Sequence, residues 1–192
     1  QRITDQRLEL ELLERVRAYL VADAEDLARA QEQVTRRLWV LEGLMSEVPP
    51  DPDSAPGRLN DVPLRVFSAS LPEFDLFDDA YQEMLATGTL DVVRDDVLRS
   101  QIVSYYRTAR DKGDNARRAA PYQQRLEEAL ARIDVATVDE ISLLELRSRV
   151  AADRTVHVAV RQALPYLRLQ SLFFEQAGAA RIELEQVLAR DR

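Results

Sequence analysis

The side chains best suited to chemistry in this 192-residue chain are few, and their spacing joins none of them into a known catalytic pattern. His157 is the single histidine, so a zinc or iron site built on two or more histidines is excluded within one chain. A lone general base also needs a pocket and an orienting partner. His157 has neither in its sequence surroundings and reads as a helix-surface residue. Lys112 is the only lysine, so a Schiff-base mechanism would have to use it. It stands in the polar string RDKGDN, with no apolar stretch to lower its pKa. Cysteine is absent, which removes disulfides, thiolate nucleophiles and zinc–cysteine sites. Two carboxylate clusters remain: Glu73, Asp75, Asp78 and Asp79, then Asp91, Asp95 and Asp96. Neither has the ligand spacing and central glycine of a calcium loop, and both suit the first turns of helices, where the dipole favours negative charge. No G-x-S-x-G, H-E-x-x-H or G-x-x-x-x-G-K-[ST] string occurs. Catalytic, metal and cofactor assignments are therefore none, and the chain reads as a non-enzyme.

Aromatic residues give the one candidate for ligand contact. Tyr81, Tyr105, Tyr106 and Tyr166 lie at helical spacings that suit a pocket between helices. The same spacings suit plain core with hydroxyls reaching the surface. A net charge of −8 argues against nucleic acid and against an anionic lipid surface, because both need a basic face. No run of about 18 apolar residues is present, so no segment reads as a membrane span. No signal peptide is visible either.

Helices must position all of these residues. With 46% hydrophobic and 31% charged residues the chain can build a core, and five glycines are too few for a turn-rich β fold. Leu13, Leu20, Leu27, Val34, Leu41 and Val48 recur at steps of seven, with Val16, Ala24, Ala30, Leu38 and Met45 as companions. This predicts a helix over 4–48, roughly 65 Å long. Asp23 and Arg37 also fall at companion positions. That imperfection favours packing inside a bundle over a self-associating coiled coil. Glu11–Arg15, Glu25–Arg29 and Glu32–Arg36 read as i,i+4 ion pairs.

A proline-rich loop follows over 49–63. A short helix is expected over 73–87, with Phe77, Tyr81, Met84 and Leu85 on one face and Gly88 as its left-handed terminator. One long helix over 95–134, kinked near Pro121, is expected next, with two helices as the alternative. The last is expected over 138–190, opened by a capping box at Thr137 and Glu140. Its segment ALPYLRLQSLFF is apolar on most of its circumference, which predicts partners on several sides. The fold class is all-α: a single domain forming an elongated antiparallel bundle of three to five helices.

The stretch from Phe74 to Arg107 carries the pattern Tyr81, Met84 or Leu85, Thr87, Gly88, Leu90, Val93, Asp95, Leu98, Arg99, Tyr105 and Tyr106. It resembles a segment of a bacterial family of single-span, membrane-anchored helical proteins with no assigned activity. The resemblance covers about 34 residues. It implies a helix–turn–helix corner with Gly88, Leu90, Asp95 and Leu98 in structural roles. It also implies a transmembrane helix ahead of Gln1, and hence an extracytoplasmic domain attached to a membrane only through that anchor. The expected function is a structural or protein-interaction module with a protein partner or self-association. A small-molecule-sensing bundle is the alternative reading, and a cytoplasmic location is the alternative placement.

Overall fold

The computed structural model describes residues 2–46, 76–133 and 142–190. The expected loop over 49–63, the Thr137 cap and residues 73–75 lie outside them. The protein is an all-α helical bundle, with no strand among the described residues. Its elements are α1 (Arg2–Met45), α2 (Asp79–Thr87), a 3-10 turn (Thr89–Val92), α3 (Asp96–Arg117), α4 (Ala120–Ala131), α5 (Leu143–Ala152) and α6 (Arg154–Arg190).

The buried positions of α1 alternate at three and four residues: Leu13, Val16, Leu20, Asp23, Leu27, Ala30, Val34, Arg37, Leu41 and Leu44. Both heptad series are therefore unbroken once Asp23 and Arg37 count as members. The companions Ala24, Leu38 and Met45 are only half-buried. The seam of α6 repeats the pattern through Val156, Val160, Ala163, Leu167, Gln170, Phe174, Ala177, Leu184 and Leu188. Leu169 and Leu172 point outward at 47% and 44% exposure, so the expectation of partners around most of α6 is corrected to one buried face. Two of the expected ion pairs are also replaced. Arg29 pairs with Asp26 at 2.9 Å, and Arg15 pairs with Glu83 at 2.6 Å; Arg36 does pair with Glu32.

Two expected helices are each two. The 95–134 helix breaks at Arg118 and Ala119, whose amides turn back to Asn115 and Ala116 at 3.2 and 3.1 Å. Pro121 is the cause: it has no N–H, and its ring excludes the carbonyl four residues earlier, at Arg117. The 138–190 helix breaks at Asp153, which is extended at φ −106°, ψ 105°. Its carboxylate accepts from the amides of Thr155 (2.8 Å) and Val156 (3.2 Å) and so caps α6. Ser142 caps α5 by accepting from Glu145 N–H, an S-x-x-E pattern five residues past the expected one. Pro165 lies on the exposed side of α6, where water can serve the carbonyl it leaves free, and the helix continues through it. The short helix begins at Asp79, later than expected, because the amide of Phe77 is bonded to a side chain of α1. Tyr81 and Met84 are its buried face, while Phe77 and Leu85 are 42% and 50% exposed.

The chain divides into two compact units. Unit 1 comprises Gln1–Arg29, Phe74–Asp114 and Phe173–Arg192; unit 2 comprises Ala30–Glu73 and Asn115–Leu172. In unit 1, Glu9 meets Arg94 and Asp23 meets Tyr105, so α3 runs parallel to α1. Arg17 reaches the Leu188 carbonyl and Arg181 lies near Tyr105, so α6 runs antiparallel to both. In unit 2 an apolar cluster of Val40, Leu41, Leu126, Leu146, Val160 and Leu167, with others, joins α1, α4, α5 and α6, and Trp39 packs against it.

After α2 the chain turns a corner at Gly88. Gly88 ends the helix at φ 67°, ψ 14°, a conformation that costs side chains with a Cβ. Asp95 caps α3 by accepting from Val97 and Leu98 amides, and Leu98 is fully buried. Leu90, expected to pack under the turn, is only half-buried, whereas Val93 is fully buried. Nothing lies within 4 Å of a Cβ built on Gly88, so backbone strain alone decides a substitution there. Gly88→Val is expected to lower stability by about 1–3 kcal/mol in urea unfolding, and Gly88→Asn by distinctly less. Equal unfolding midpoints for the valine variant and the parent would rule out the strained corner.

Candidate functional site

Among the described residues each unit holds one buried polar centre, and both begin from a seam position of α1. In unit 1 the residue is Asp23, with no solvent exposure. One carboxylate oxygen accepts the Phe77 amide at 2.9 Å, and the other accepts the Tyr105 hydroxyl at 2.5 Å. Asp23 therefore ties α1 to the entry of α2 and to α3. Tyr106 stacks on Tyr81 (centroids 4.7 Å apart, planes 7°) and meets Tyr105 edge-on at 5.0 Å. The Tyr106 hydroxyl is buried, with no hydrogen-bond partner among the described residues. Beside this cluster, Asp78 accepts from Arg110 and from Gln82. Phe77 stacks on Tyr19.

Burial sets the electrostatics here. It pushes the Asp23 carboxyl up to about 6, against the pull of its two hydrogen bonds; the charges of Asp26 and Asp78 add to the rise. Burial likewise pushes the Tyr105 phenol upward, reinforced by the Asp23 charge, and raises Tyr106 for the same reasons. A carboxyl titrating near neutrality between phenols is the group set of a general acid or base. Yet both Asp23 oxygens are occupied by an amide and a phenol, and the group is out of contact with solvent. Its chemistry is spent on joining three chain segments.

The centre of unit 2 is Arg37, 1% exposed. It donates to Gln123 Oε1 at 2.9 Å, and Gln123 Nε2 donates to Gln170 Oε1 at 2.6 Å. Glu127 supplies the counter-charge at 3.6 Å. Burial lowers the guanidinium pKa and Glu127 raises it; burial raises Glu127 and Arg37 lowers it. The chain Arg37–Gln123–Gln170 thus links α1, α4 and α6.

The candidate tyrosines divide between the units. Tyr81, Tyr105 and Tyr106 come together, ring packed on ring. Tyr166 belongs to unit 2, where it stacks on Tyr122 with centroids 3.4 Å apart. A single pocket of four tyrosines is thereby corrected, because shared helical phase does not fix position along a helix. A shallow groove of about 540 Å³ on the outer face of α3 is lined by Leu90, Asp96, Arg99, Ser100 and Arg107 among others, and by none of the four tyrosines. Arg99 there is engaged by the Val93 carbonyl and by Asp96. His157 is exposed on α6. Lys112 lies over the Phe173 ring at 5.6 Å. Among the described residues, no three histidine or carboxylate side chains gather as a metal ion requires.

Because folded Asp23 titrates about two units above an ordinary aspartate, the native state binds the proton more tightly than the unfolded chain between about pH 4 and 6. Stability is therefore expected to fall as pH rises through that window, by roughly 3 kcal/mol. Asp23→Asn should flatten this part of the profile in denaturant unfolding; an unchanged profile would exclude Asp23 as its source. At the other centre, Arg37→Ala strands Gln123 and opens a cavity, with an expected loss of about 3–5 kcal/mol. Replacing Arg37, Gln123 and Gln170 together by leucine should restore most of that loss. A triple variant as unstable as the single one would refute this reading.

Compared with known proteins, the chain matches no family model, and neither a characterised protein nor a solved structure shows significant similarity to it.

Proposed function

We propose that this chain is a non-enzymatic structural or protein-interaction module. One observation carries the reading: the buried charged side chains, Asp23 and Arg37, are consumed in joining helices. Asp23 is closed by the Phe77 amide and Tyr105, and Arg37 by Gln123 and Glu127. A catalytic carboxylate needs a free oxygen facing a substrate, and a sensor needs a partly open polar cavity. Tyr81, Tyr105 and Tyr106 instead fill their space with one another, which favours a packed core over a sensing pocket.

The likeness of the Phe74–Arg107 segment to membrane-anchored bacterial proteins supports an extracytoplasmic placement, with the module as the soluble part of an anchored protein. No helix among the described residues is long and apolar enough to cross a membrane.

The discriminating experiment is a thermal-shift screen of the full chain against a broad panel of small metabolites, run beside sedimentation over a wide range of protein concentration. The module reading expects no metabolite to raise the melting temperature saturably, and a mass that grows with concentration or with an added protein partner. A saturable rise of several degrees at constant mass would transfer the assignment to small-molecule sensing.

A further inference from the structure

The stacked pair of Tyr122 on α4 and Tyr166 on α6 is unlike the other aromatic contacts. Its ring centroids are 3.4 Å apart with planes at 15°, and the Tyr166 hydroxyl donates to the Tyr122 oxygen at 2.6 Å. Parallel rings whose hydroxyls meet are stacked head on head. The carbons flanking each phenol carbon therefore face their counterparts at about van der Waals distance. These are the positions at which a phenoxyl radical carries unpaired density and forms carbon–carbon bonds.

Three further observations bear on the pair. Both tyrosines are half-buried, so each keeps part of its surface open to a one-electron oxidant while the rings stay in register. The chain has no cysteine, so no thiol competes for the oxidant; of the two methionines, Met84 is fully buried. The other stacked tyrosines, Tyr81 and Tyr106, are buried with centroids 4.7 Å apart and have no hydroxyl–hydroxyl bond between them.

We propose that Tyr122 and Tyr166 are a site of oxidative modification, at which a peroxide-fed one-electron oxidant joins the two rings into an intramolecular dityrosine that staples α4 to α6 within unit 2. The oxidant, a haem peroxidase consuming hydrogen peroxide, takes one electron and one proton from each phenol. The two tyrosyl radicals pair to form one Cε–Cε bond. Each Cε then loses its hydrogen as a proton and both phenols are re-formed. The net change is two ring hydrogens lost, with the peroxide O–O bond broken and reduced to two waters. The hydroxyl–hydroxyl hydrogen bond holds the rings in facing register up to the first oxidation, and the apolar packing of α4 on α6 keeps them there through the second. In a cysteine-free chain this bond supplies the covalent cross-link that a disulfide supplies elsewhere, closing the loop between residues 122 and 166.

The test treats the dilute full chain with a haem peroxidase and hydrogen peroxide. The expected product is monomeric on a denaturing gel and lighter by two hydrogens. It shows blue dityrosine fluorescence and a cross-linked peptide pair containing Tyr122 and Tyr166. Its melting temperature should rise by about 5 °C or more. Tyr166→Phe and Tyr122→Phe, each checked for folding by circular dichroism, should each abolish the intramolecular product. Tyr81→Phe should leave its yield unchanged. The proposal is overturned if the product survives Tyr166→Phe. It is equally overturned if only intermolecular cross-links form, or if the chain yields no dityrosine in a mixture that couples free tyrosine.

Discussion

A charged side chain in the seam of a helix costs more than the apolar contact it displaces unless its hydrogen bonds are completed by the helices packed on it. This chain meets that condition twice on α1, at Asp23 and two heptads later at Arg37. Sliding α3 against α1 by a turn in unit 1 would leave the Asp23 carboxylate facing apolar side chains. Sliding α4 or α6 in unit 2 would do the same to Arg37. Leucine seams alone tolerate such shifts, because one leucine layer resembles the next. The polar layers make neighbouring registers unequal, and each unit has a layer of its own.

What could be read in the sequence and what could not divides along the range of the forces involved. Gly88, the Asp95 cap and the long N-terminal helix are local: a left-handed turn, a carboxylate at a first turn and a seven-residue period each declare themselves within a few residues. Asp23 and Arg37 were visible as interruptions of that period, but their meaning was not. The partners lie at Phe77, Tyr105 and Gln123, far along the chain, and no spacing rule connects them. The breaks at Arg118–Ala119 and at Asp153 were hidden for the opposite reason. Apolar positions keep their phase across both, so a periodic reading passes through a cap without registering it. Asp153 caps from inside the pattern, where an aspartate also reads as an ordinary exposed helix residue.

Depth was the other quantity the pattern did not carry. Tyr105 and Tyr106 are adjacent and both buried, yet one hydroxyl is held by Asp23 and the other has no partner among the described residues. An unpaired buried hydroxyl costs about 1–3 kcal/mol. Stacking on Tyr81 and the edge contact with Tyr105 contribute in the opposite direction, at about 0.5–1.5 kcal/mol each beyond the area buried. The unpaired hydroxyl and the ring contacts therefore nearly cancel, and the apolar area buried by the rings is what remains in favour of the fold. The cluster also has a geometric effect, since flat rings in contact fix the spacing of α2 and α3 around the carboxylate.

The two centres also differ in what they respond to. The centre of unit 1 carries its charge on a carboxyl brought by burial into the range where protons exchange under ordinary conditions. The centre of unit 2 carries its charge on a guanidinium, which stays protonated across that range even though burial lowers its pKa. Acidification from neutrality thus removes a buried charge from unit 1 and leaves the buried cation of unit 2 in place. The difference follows from charge type alone. An acid buried among phenols, whose own pKa values rise, gains stability by taking up a proton, whereas an arginine has no neutral form to retreat to. A single helix therefore supplies a proton-sensitive fastening to one unit and a proton-insensitive one to the other.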